Sequence, residues 1–130
     1  MNEKKVAEKI RDLREGIESI VSEIDDRELQ IELDGAYVLF KYAADILTDS
    51  KRILDAKFSI HCRNGSEVAI ESSFGGVHLH TEFLPADTTL ETVMQRFTDS
   101  KVVMKSAIAL LIWALRDSAQ TIMEWHVKHY

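Results

Sequence analysis

Apolar residues recur along the first fifty positions at steps of four and three. Val6, Ile10, Leu13, Ile17, Ile20 and Ile24 keep that alternation strictly. This is the seam of a helix packing on another at a shallow angle, and it predicts a helix over residues 3–24. Asp25 and Asp26 interrupt the seam, and Asp25 with Glu28 three residues on has the form of a capping box. The rhythm then resumes through Leu29, Leu33, Ala36, Phe40, Ala43 and Leu47, predicting a second helix folded back on the first. Gly35 is tolerated there at a cost of about 1 kcal/mol relative to Ala. A hairpin turning at Asp34-Gly35 is the rival reading, but Tyr37 to Phe40 show no alternation to support it.

After Asp49-Ser50 the period falls to two. Phe58, Ile60 and Cys62 alternate with Ser59, His61 and Arg63, and Val68 and Ile70 alternate with Glu67, Ala69 and Glu71. Then comes GGVHLHTEF, with Val77, Leu79, Thr81 and Phe83 on one parity and His78, His80 and Glu82 on the other. The pattern predicts a three-stranded meander with one apolar and one polar face. Facing residues must share a side of the sheet. A three-residue Arg63–Gly65 loop, with Gly65 at positive φ, satisfies this by pairing Ile60 with Val68 and Phe58 with Ile70. A two-residue Gly75-Gly76 turn pairs Phe74 with Val77 and Val68 with Phe83. On the polar face this register sets Lys57, Glu71 and His80 in one row and Ser59, Ala69 and Glu82 in the next, with His61 facing Glu67.

Beyond Pro85, Thr88 with Glu91 forms another capping box, and Leu90, Val93, Met94 and Phe97 mark a short helix. Asp99 or Ser100 caps a last helix that runs almost to Tyr130. The expected fold is therefore α+β, in the order ααβββαα, as one domain over residues 1–130.

Composition narrows the function classes. With 45% hydrophobic and 29% charged residues the chain is expected to build a core. A net charge of −6 argues against direct nucleic-acid binding, which rests on Lys and Arg neutralising phosphates. The single Cys62 cannot form an internal disulfide; it lies on the apolar parity and is expected to be a small buried hydrophobe. The first residues, MNEKKVAEKIRD, do not have the apolar stretch of a signal peptide. The longest apolar run, Ala107 to Leu115, falls well short of the roughly 20 residues of a membrane span. A cytoplasmic protein is the expectation.

The candidate chemistry sits on the third strand. His78, His80 and Glu82 offer two imidazoles and a carboxylate from one face, a donor set suited to zinc. The same residues on an open sheet face also read as charge-balanced surface, since each strand histidine finds a carboxylate nearby. His126 and His129 favour the C-terminal helix dipole over chelation. Ser72-Ser73 does not have the Gly-x-Ser-x-Gly frame of a nucleophile elbow, and the glycine pair is a turn, not a phosphate loop. On the last helix Trp113 lies inside the apolar run and reads chiefly as core, with an interface role as its second reading. Trp125 with Met123 and Tyr130 reads as an interface anchor. That helix, about 45 Å long at 1.5 Å per residue, exceeds the ~36 Å diameter of a compact chain of this length. Its wide apolar circumference therefore calls for a second copy. The leading expectation is a small acidic interaction module (adaptor, inhibitor or chaperone) that binds a protein partner and forms a homodimer, without enzymatic activity. The alternatives are a metal- or small-molecule-binding domain, possible hydrolase chemistry included, on the His78/His80/Glu82 face, and an acidic inhibitor of a nucleic-acid-binding protein.

Overall fold

The computed structural model describes residues 2–130 and has the expected α+β order. Helix α1 (Glu3–Ile24) starts where the Asn2 side chain accepts from the Lys5 amide and stops at Asp25, which takes a left-handed φ of 55°. Asp26, not Asp25, caps the next helix, its carboxylate accepting from the Leu29 amide at 3.0 Å. The expected single second helix is two: α2 (Arg27–Glu32) and α3 (Asp34–Thr48), broken at Leu33, where ψ opens to −9°. Leu33 is fully buried, so the break keeps it in the core while α3 turns to follow α1.

α3 is the hub. α1 and α5 (Ser100–His129) both pack along it and antiparallel to it. Arg11 of α1 reaches Asp45 and Thr48 at the far end of α3, whereas Val21 packs with Leu29 and Leu33 at its near end. The core joins Ala7 and Ile10 of α1, Phe40, Ala43 and Ile46 of α3, and Ala107, Leu110 and Ala114 of α5. α1 is therefore rotated from its expected seam: Ala7, Ile10, Ile17 and Val21 face inward, and Leu13, Ile20 and Ile24 stand exposed. Small alanines on α1 and α3 permit close approach of these two helices.

A 3₁₀ helix, Ser50–Asp55, which the sequence reading missed, leads into the sheet. Here Tyr42 of α3 is buried and donates to the Arg52 carbonyl at 2.8 Å. Its ring stacks on Phe74 at 3.9 Å, and burial, with Asp55 adding to it, pushes its hydroxyl up to about 12. Strands β1 (Lys57–Asn64), β2 (Glu67–Phe74) and β3 (Val77–Pro85) form the expected antiparallel meander.

The register departs from expectation twice. At the first turn Asn64 pairs with Glu67 and its Oδ1 accepts from the Ser66 amide at 2.9 Å, so Gly65-Ser66 is the loop, without positive φ at Gly65. A bulge at Arg63 then restores parity and pairs Ile60 with Ile70 and Cys62 with Val68. At the second turn Gly75 and Gly76 hold φ of 56° and 81°, and Phe74 pairs with Val77 as expected. A bulge between Val77 and His80 next shifts the register by one, so Ser72 faces His80 and Val68 faces Leu84, not Phe83.

Every residue of β3 after the bulge changes sides. Leu79 and His80 both point inward, Glu82 follows, and Phe83 turns outward beneath the Arg63 guanidinium. On the inner face Phe74, Val77 and Leu79 join the helical core, while Ile70, Leu84 and Phe58 meet Phe97 of α4 (Leu90–Phe97). The cap of α4 is Thr89, which accepts from the Thr92 amide; Thr88 instead donates to the Pro85 carbonyl. α4 does not extend over the far end of β1. Ile60 is 69% exposed there and Cys62 is exposed too, contrary to its expected burial.

Candidate functional site

The β3 bulge divides the three candidate ligands. His78 lies on the outer face, exposed, with Nε2 at 2.7 Å from Thr81 Oγ1. His80 and Glu82 lie on the inner face, their side chains only 12% and 15% exposed. The structure thus brings His80 and Glu82 together and sends His78 to the opposite side. Among the described residues no three His, Cys, Asp or Glu side chains are gathered to hold a metal ion.

In place of the trio stands a chain of polar contacts. His80 Nε2 is 2.9 Å from Glu82 Oε1, and Arg96 of α4 donates to Glu82 Oε2 at 3.1 Å. Burial pushes the Glu82 carboxyl up, but His80 and Arg96 outweigh it and hold the group below its ordinary value. Phe97 packs edge-on against the rings of Phe58 at 5.0 Å and His80 at 5.3 Å, the two ends of the row Phe58–Ser72–His80. Ser72 lies beneath it with no exposure. Serine, histidine and glutamate in sequence have the residue types of a nucleophilic relay. Here Ser72 Oγ and His80 Nδ1 are buried without hydrogen-bond partners, and Ser72 has no exposure to solvent. The cluster fastens α4 to the sheet.

The open surface lies elsewhere, on the outer face of α5. Core positions Val103, Ser106, Ala107, Leu110, Ala114 and Ser118 face α3 and the sheet. Opposite them Lys101, Lys105, Ile108, Ile112, Leu115 and Ala119 follow one another at steps of four and three, all exposed. Ile112 is 57% exposed at the centre, and Met123 extends the apolar part of this seam. Trp113, expected chiefly as core, flanks it at 42% exposure, with the Arg116 guanidinium 5.0 Å above its ring.

The other expected anchors diverge. Trp125 packs inward against Val21, Leu29 and Leu33 and stacks on His129 at 4.8 Å. Tyr130 is exposed beside His126. Lys128 pairs with Glu28 at 2.8 Å and His129 Nε2 stands 4.0 Å from Asp26, so this end of α5 is fastened to α2. The Leu29 amide outweighs burial and, with His129 adding to it, holds the Asp26 carboxyl below its ordinary value. A depression between α5 and the start of α3 is lined by Glu32, Asp117, Gln120 and Glu124.

No helix among the described residues is long and apolar enough to cross a membrane. Comparison with family models, with characterised proteins and with solved structures gives no match. Function is therefore read from the chain's own surfaces.

Proposed function

We propose that the chain is a small protein-interaction module, of adaptor, inhibitor or chaperone type, that self-associates through the outer face of α5. The observation that carries this reading is the row Ile108, Ile112 and Leu115, exposed at heptad-like spacing on the back of a helix whose front is already in the core. Isolated exposed apolar residues are ordinary, but a continuous seam at helical spacing marks a surface made to be covered.

Light scattering on the purified protein at about 100 µM tests the reading. The expected mass is twice 14.8 kDa, and a mass of 14.8 kDa at that and every lower concentration contradicts it.

A further inference from the structure

The turn between β1 and β2 sets a side-chain amide, that of Asn64, beside the unhindered main-chain nitrogen of Gly65. We propose that Asn64 is a site of spontaneous deamidation in the folded chain, with water as co-reactant and a mixture of aspartate and isoaspartate as product.

Three features of the turn favour this reaction. Asn64 Oδ1 accepts from the Ser66 amide at 2.9 Å. An asparagine bonded to the amide two residues on is folded over its own following peptide, which brings Cγ to the Gly65 nitrogen. The Ser66 hydroxyl donates to the same Oδ1, also at 2.9 Å. Two donors on one amide oxygen draw electron density from Cγ. They also stabilise the negative charge that collects on Oδ1 when Cγ is attacked. Gly65 supplies the third feature: it has no side chain to hinder its nitrogen, and the turn is exposed, so water and hydroxide reach it.

The reaction needs no oxidant or reductant. The Gly65 nitrogen gives its proton to hydroxide or water and bonds to Cγ. The Cγ–Nδ2 bond then breaks and Nδ2 leaves as ammonia, closing a succinimide ring. Water opens the ring at either carbonyl. Cleavage of the bond from nitrogen to Cγ leaves aspartate, and cleavage of the bond to the main-chain carbonyl carbon leaves isoaspartate. An amide is thereby exchanged for a carboxylate and ammonia.

Asn64 pairs with Glu67 next to the bulge that sets the β1–β2 register. Isoaspartate lengthens the main chain there by one carbon. Either product puts a new carboxylate beside Arg63, whose guanidinium already pairs with Glu67 at 3.7 Å and lies over the Phe83 ring. The change therefore falls on the end of an edge strand where Ile60 and Cys62 are exposed.

Incubation of the purified protein at about pH 8 and 37 °C tests this, read by mass spectrometry of the peptides that hold Asn64 and Asn2. Asn64 should gain one mass unit over days, and Asn2, which precedes Glu3 and caps α1, should not. Gly65→Ala should slow the gain about tenfold. A methyl group at this position meets no atom within 4 Å and Gly65 does not hold a positive φ, so the turn is kept. Ser66→Ala should slow the gain several-fold in the folded protein and leave it unchanged in guanidinium chloride, where the turn is lost. An Asn64 that stays intact in the folded protein but deamidates in guanidinium chloride would overturn the proposal, because the fold would then protect it. Equal rates for folded Ser66→Ala and folded wild type would overturn the part assigned to the hydroxyl.

Discussion

Glu82 shows how one side chain's surroundings become a property that can be titrated. It accepts from Arg96 and meets His80, and both favour its charged form. Its folded pKa therefore lies below the ordinary 4.5. A lowered folded pKa means the unfolded chain takes up the proton first. The stabilisation is thus complete above the ordinary value and is lost as pH falls through the lowered one. Glu82→Gln should be less stable than wild type at pH 7, and the gap between their melting curves should close on acidification below about 4.5. Thermal melts from pH 7 to pH 3 check this. A gap that stays constant would mean that the contacts of Glu82 do not depend on its charge. His78→Gln should leave stability at pH 7 within about 0.5 kcal/mol of wild type, since His78 faces outward.

At the scale of elements, α4 is held by the buried ring of Phe97 with Val93 packed beside it, and by the Arg96–Glu82 ion pair. Phe97 is fully buried between sheet and helix, whereas Met94 on the same helix is 43% exposed. Phe97→Ala should cost about 3–5 kcal/mol by opening a cavity over Ser72. Met94→Ala should cost about 0.5 kcal/mol or less. Chemical denaturation measures both, and equal costs would mean that α4 does not close the inner face. What the sequence made legible follows the same division. Periodicity located the long helices and the meander because each period reflects a face buried along a whole element. It could not choose between the two stripes of α1, since Leu13 and Ile20 are as apolar as Ile17 and Val21. That choice is made by tertiary packing against α3. The β3 bulge was illegible for a related reason. Val77, Leu79, Thr81 and Phe83 alternate without a break, and the extra residue appears only when β3 is paired with β2. One bulge was enough to separate His78 from His80 and dissolve the expected ligand set. Trp113 was misplaced because an apolar run of nine residues wraps the whole helix, and its composition cannot say which side stays uncovered.

For the whole molecule, a helical layer with α3 enclosed between α1, α5 and the sheet leaves the back of α5 bare. The chain carries a net charge of −6, yet the bare face presents lysines and an arginine around its apolar centre. A basic rim on an otherwise acidic molecule is compatible with the self-association proposed above. Besides the outward Leu13, Ile20 and Ile24 of α1, the uncovered end of β1 is an alternative to the α5 face, with Ile60 exposed on an edge strand. The α5 and β1 surfaces can be separated directly. Sedimentation equilibrium of Ile112→Glu and of Ile60→Glu, each beside wild type at about 100 µM, places the same charge on each exposed isoleucine in turn. Wild type and Ile60→Glu should be found at twice 14.8 kDa and Ile112→Glu at 14.8 kDa. Dissociation by Ile60→Glu, with Ile112→Glu still dimeric, would contradict self-association through α5.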